Sequence, residues 1–283
     1  MKLHALAAAA LALAAVTTSH ATITPVDSDS GSELVFEFYS TSGSYALDLG
    51  ITLQSFSDLQ TNAGYSRTWV VNPTTDTYFS QALTALGTTT STRWAVVGGD
   101  STGDPGTPGH QRVLTTVQTG QNVGFWQNNL FRNTIGNMGT SFVAVLNQLG
   151  INDTGDNLEG NHADVANGAS FSPNTSGAFF GFEGSVGDVL GQGASFKVGN
   201  AIGGTSRFAY ITPGSPFPQQ SVQSSLVGNG TSLGLWSFAA STTTAGAYEL
   251  SYSLSAVPEP GALALMLAGL AGVGFVARRR GNA

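Results

Sequence analysis

Cysteine is absent from this 283-residue chain, which excludes disulfides, thiol catalysis and zinc–thiolate centres in one step. Lysine is nearly absent as well, with only Lys2 and Lys197. Charged residues of all kinds make up 10% of the sequence, so most of its surface must be solvated by Ser, Thr, Asn, Gln and Gly. Between Thr22 and Ala256 six basic residues face sixteen acidic ones. That imbalance excludes nucleic acid as a partner, because phosphates need a basic footprint. Aromatic and β-branched residues are nevertheless plentiful, which separates the chain from disordered acidic sequences.

Long apolar runs are missing except at two places. Near the start, Lys2 precedes an alanine- and leucine-rich stretch from Leu6 to Val16 and a small-x-small site at Ser19-His20-Ala21. These features predict a secretory signal peptide over residues 1–21, cut after Ala21. Near the end, Val257-Pro258-Glu259-Pro260 leads into 17 uncharged residues, Gly261 to Ala277, followed by Arg278-Arg279-Arg280. As a helix the run is about 26 Å long, just enough to cross a hydrocarbon core. The three arginines favour the cytoplasmic side and set the direction of the span. Each proline lacks an N–H and fixes φ, so Pro258 and Pro260 hold the approach extended and accessible to a protease.

In that order and spacing, Pro258-Glu259-Pro260, the apolar helix and the arginine cluster resemble the PEP-CTERM sorting signal of Gram-negative bacteria. The resemblance covers residues 257–280 only. It implies that the segment is a transient inner-membrane anchor recognised by exosortase, a membrane-embedded cysteine protease. Pro258, Glu259 and Pro260 would then be the recognition element, and Arg278, Arg279 and Arg280 the stop that orients the anchor. It further implies delivery to the cell surface or extracellular matrix, in the setting of exopolysaccharide and biofilm. The Sec translocon, signal peptidase, exosortase, the membrane and exopolysaccharide are the expected partners. The chain thus divides into a signal peptide (1–21), an exported region (22–256) and a sorting segment (257–283).

Alternating apolar residues in the exported region predict strands at Glu33 to Phe38, Tyr45 to Leu53, Thr68 to Val71, Arg93 to Val97, Arg112 to Val117, Ala178 to Phe182, Ser195 to Val198, Arg207 to Ile211, Leu233 to Phe238 and Tyr248 to Leu254. Two helices are expected. Asp76 can cap one over Tyr78 to Leu86, with Gly87 as its stop, and Phe142, Val145, Leu146 and Leu149 share one face of the other. The fold class expected is mainly β: an antiparallel β-sandwich or jelly-roll-like domain with a small helical insertion between roughly Asp76 and Gly150, plus the C-terminal transmembrane helix.

Chemical constellations are sparse. Gly99-Asp100-Ser101-Thr102-Gly103 matches G-x-S-x-G, but Asp104-Pro105-Gly106 cannot start the helix that a nucleophile elbow requires. A triad of Ser101, Asp153 or Asp156, and His162 is the hydrolase reading, against that of an exposed glycine-rich loop. Asp153, Asp156 and Glu159 gather in a Gly/Asn-rich stretch. Calcium is the one cofactor such oxygens suit, and a solvated acidic loop is the competing reading. Trp126, beside Gln127-Asn128-Asn129, is the tryptophan expected at the surface, where it would contact a glycan. Three functions therefore stand at this stage: a non-enzymatic exported protein, a carbohydrate-binding module, and a secreted hydrolase.

Overall fold

The computed structural model describes residues 29–59, 64–89, 91–104, 107–123, 126–137, 168–176, 196–217, 219–228 and 233–254. Among these described residues, thirteen elements follow in chain order: β1 (Glu33–Ser40), β2 (Gly43–Thr52), α1 (Leu53–Leu59), β3 (Ser66–Val71), α2 (Thr77–Leu86), β4 (Arg93–Asp100), β5 (Arg112–Gln118), α3 (Asn128–Asn137), β6 (Ala169–Pro173), β7 (Thr205–Thr212), β8 (Gln223–Leu226), β9 (Leu235–Ala240) and β10 (Tyr248–Ser253). The strands form one sheet in the order β3-β10-β9-β7-β5-β4-β1-β2-β6, with β8 on the flank of β7. Every pairing is antiparallel.

That sheet curls. Strands β1 and β9 stand four places apart, about 19 Å in a flat sheet, yet the rings of Phe36 and Phe238 meet at 4.7 Å. The concave face encloses an aromatic core in which Phe36, Phe38, Tyr45, Phe208, Trp236, Phe238 and Tyr252 are buried. The layered packing expected of a sandwich is thus supplied by one continuous sheet folded over itself. The expected helical insertion between Asp76 and Gly150 is corrected: that stretch holds β4 and β5, which lie in the middle of the sheet. Their apolar residues pair across long sequence separations, so their central position could not be read from spacing.

One helix plugs each end of the curl. Phe56 of α1 packs on Phe208, Trp236 and Tyr252 at ring distances of 5.1, 5.9 and 4.9 Å. Phe79 of α2 does the same at the opposite end, against Phe38, Tyr45 and Tyr248. Helix α2 carries the caps its sequence predicts. The Asp76 carboxylate accepts the Phe79 amide at 2.9 Å, and Gly87, at φ 68°, donates to the Leu83 carbonyl. Such a positive φ is strained for any residue with a Cβ.

Asp76 has a second task, accepting the buried Tyr45 hydroxyl at 2.6 Å. Replacing Asp76 by alanine removes the cap and orphans that hydroxyl, a combined loss of about 2–3 kcal/mol. The midpoint of urea denaturation should fall accordingly. Asp76→Asn, which keeps an acceptor for the amide, should lose less.

The convex side is covered too. Val35, Ala95, Val97, Val113, Val117, Ala209 and Ile211 form a second core with Trp126, Phe131, Ile135, Phe196 and Val198. Helix α3 supplies Phe131 and Ile135. Its first residue, Asn128, is fully buried and fully used: its side-chain amide donates to the Ser215 and Phe217 carbonyls and accepts the Gly214 amide. Of the strand expected at Ser195 to Val198, the described residues Phe196–Val198 pack side chains here and are tied to the sheet by the Gln118 amide and the Thr116 hydroxyl, which donate to the Lys197 and Val198 carbonyls, and by the neighbouring Trp94–Asn200 bridge. Ala178 to Phe182 and the helix expected around Phe142 to Leu149 lie outside the described residues.

Candidate functional site

Trp126 is not at the surface. Its relative exposure is 1%, and its ring stands edge-on to Phe131 at 5.2 Å and to Phe196 at 5.8 Å. Convex-face packing, which the polar neighbours Gln127-Asn128-Asn129 conceal, buries the indole and leaves it inaccessible to a sugar. The remaining tryptophans are also core residues, with Trp69 and Trp94 donating to the carbonyls of Leu49 and Ala201.

Ser101 begins the turn after β4, as its glycine-rich context predicts, and the described residues between it and β5 hold no helix. Asp100 organises this turn. Its Oδ1 accepts the Thr102 amide and hydroxyl, while its Oδ2 pairs with Arg112 Nε at 2.7 Å and Nη2 at 2.5 Å. Arg112 also donates to Gln54 of α1. His110 closes the loop by accepting the Asp104 amide on Nδ1 at 3.0 Å. His162, Asp153, Asp156 and Glu159 lie outside the described residues, and among the described ones no three His, Asp or Glu side chains are grouped to hold a metal.

Pro258, Glu259, Pro260 and Arg278 to Arg280 also lie outside the described residues, as does the expected span 261–277. Among the described residues no helix is long and apolar enough to cross a membrane. What the structure does place is the point of departure. Strand β10 is paired along its full length on both sides, with β3 and β9. Beyond it, the Leu254 amide donates to the Tyr65 carbonyl at 2.9 Å and the Leu254 side chain is buried. The folded region is therefore fixed up to Leu254, leaving only Ser255, Ala256 and Val257 before Pro258.

Sequence reasoning missed a set of buried carboxylates. Glu33, Glu37 and Asp48 occupy the convex-side positions of β1 and β2, where Val35 pairs with Asp48 and Glu37 with Ala46. Neither oxygen of Glu37 has a hydrogen-bond partner, and burial holds its carboxyl well above the usual range. Asp48 accepts the Gly50 amide at 2.8 Å through Oδ1. Burial, with the charge of Glu33 adding to it, pushes its carboxyl up to about 8. On one face of the β1–β2 hairpin, burial thus favours the protonated form of both Glu37 and Asp48.

The comparisons with known proteins bear on the end of the chain. No curated protein and no solved structure matches it. One family does: the PEP-CTERM protein-sorting motif matches residues 256–280. This match begins two residues after Leu254, which the fold holds in place, and it takes in the prolines, the apolar run and the arginines together. Residues 256–280 are a PEP-CTERM protein-sorting motif, and the signal marks this chain as an exported protein, transiently anchored in a membrane and sorted by exosortase.

Proposed function

We propose that the exported region serves, without catalysing a reaction, at the cell surface or in the extracellular matrix of a Gram-negative bacterium, in association with exopolysaccharide. The Sec translocon delivers it and signal peptidase trims it after Ala21. The helix 261–277 then holds it in the inner membrane, with Arg278 to Arg280 inside, until exosortase acts near Pro258-Glu259-Pro260.

The observation that carries this reading is the sorting motif at 256–280, joined almost directly to a folded, acidic and cysteine-free region. A large acidic surface suits solubility outside the cell. The non-enzymatic part of the reading is supported by how the chemically able groups are used. His110 Nδ1 is engaged by a backbone amide and Asp100 by Arg112, both in holding one loop. Intact mass and terminal sequencing of the product recovered from the envelope or medium test the whole route. Expected is a chain that begins at Thr22 and ends close to Pro258. A mature product still carrying residues 261–283, or one recovered from the cytosol, would refute it.

A further inference from the structure

In an alternating antiparallel sheet, the exit of β10 shares one end of the curl with the starts of β3 and β9, the finish of β7 and helix α1. Among the described residues the exposed large apolar side chains are Leu59, Val70, Phe217, Leu226 and Leu233. All but Val70 sit at or beyond that end. Leu233 lies two residues before Leu235, the register partner of Ser253, and bridges to Gly228. Leu226 pairs with Ala209, further out along β7 than the Arg207–Leu235 pair that marks the β10 exit. Leu59 closes α1, whose Phe56 packs on Tyr65 and Tyr252. Phe217, the most exposed of these at 63%, follows β7 and is tethered by Asn128 through its carbonyl.

We infer that this end of the domain, through Leu59, Phe217, Leu226 and Leu233, rests on the lipid interface of the membrane that holds the anchor. The inference builds on the anchoring reading above and adds an orientation and a contact surface. Its argument is the length of the tether. Six residues, Ser255 to Pro260, separate Leu254 from Gly261, so even a fully extended tether holds the domain end within about 25 Å of the hydrocarbon edge. A headgroup layer about 5–8 Å thick takes up part of that distance.

The apolar side chains therefore face the interface at high effective concentration for as long as the chain remains uncleaved. Leucine and phenylalanine on a polar body suit shallow insertion, as in interfacial helices. Charge does not drive the contact, since Arg67 and Arg207 share this end with Asp58 and Asp104.

Absence of cysteine makes the test direct. Leu233→Cys and Phe217→Cys on the contact end, and Val70→Cys as the exposed control near the other end of β3, would each carry a bimane label. Each full-length chain would be reconstituted in phosphatidylethanolamine–phosphatidylglycerol vesicles doped with a shallow nitroxide lipid. Flotation with the vesicles and a native thermal melt come first. A chain that fails to float sinks the anchoring reading itself.

For floating, folded chains, quenching at least three-fold stronger at positions 217 and 233 than at 70 is expected. Leu59→Cys supplies a further contact position should either of the first two unfold. Equal quenching at all positions overturns the contact while leaving the anchor intact. Protection of position 233 only when exosortase is co-reconstituted would also overturn it, by assigning the surface to the processing enzyme.

Discussion

Replacing Pro258, Glu259 and Pro260 together with alanine is expected to leave the full anchor-bearing chain in the membrane fraction, with release to the surface or medium lost. Pro258 and Pro260 each lack an amide hydrogen and resist a helix interior by about 3 kcal/mol, whereas alanine is the best helix former. Three alanines would allow the helix expected over residues 261–277 to continue back toward Ser255 and would remove Glu259, the one charged residue between Leu254 and Gly261. The extended, reachable backbone that a protease requires would then be wound into hydrogen-bonded turns.

Upstream, nothing can compensate. β10 is locked by two partners, and Leu254 is tied to Tyr65, so the fold cannot supply another exposed extended segment next to the membrane without losing its last strand. Membrane fractionation followed by immunoblotting of the two forms measures the effect. Release of the triple variant at the wild-type rate would remove Pro258-Glu259-Pro260 from recognition, whatever the fate of the span.

The sorting segment is legible because its information is local: proline geometry, an apolar length and a terminal charge cluster act in sequence order and need no tertiary partner. For the same reason the β1–β2 hairpin, α2 with both caps and strand β10 follow from alternation and capping residues alone. Helix α1 is concealed because Leu49, Ile51 and Leu53 continue a strand pattern, although the Thr52 hydroxyl oxygen accepts the Ser55 amide as a helix cap would. Strands β6 and β8 are short and rich in serine, so pairing with β2 and β7 rather than propensity makes them strands.

The larger failure concerns burial on the convex face. Trp94-Ala95-Val96-Val97 is a continuous apolar run, which is the signature of a strand covered on both sides. Given its full weight, that run predicts a second core on the face where Ala95 pairs with Glu37. Alternation in β1 and β2 gives the opposite impression, because it sets Glu33, Glu37 and Asp48 opposite the aromatic face and so toward solvent.

Those buried acids make a prediction about pH: the folded domain should be more stable at pH 5 than at pH 8. The carboxyl of Asp48 lies near 8 when folded, against an ordinary 3.8, and that of Glu37 is raised in the same direction. For a group raised on folding, the stability it confers is complete below the unfolded value and is lost as pH climbs through the folded one. The loss therefore runs from about pH 4 to about pH 8, where the unfolded chain gives up protons that the folded chain keeps. Asp48 contributes a slope of about 1.4 kcal/mol per pH unit within that window, and Glu37, raised by burial, adds a loss of the same sign. The charge of Glu33 raises Asp48, so the two titrate as a pair and the slope belongs to the pair. Asp48→Asn preserves the acceptor for the Gly50 amide and turns the repelling carboxylate into a donor for Glu33. Glu37→Gln replaces a buried, partnerless carboxyl with a neutral side chain that cannot ionise. Both variants should melt at a higher temperature than wild type at pH 8 and close to it at pH 5, and the double variant should flatten the profile further. Calorimetric melts at three or four pH values between 5 and 8 decide the matter. A wild-type melting temperature that rises toward pH 8, or an Asp48→Asn variant as pH-dependent as its parent, would show that these carboxyls are ionised in the folded protein.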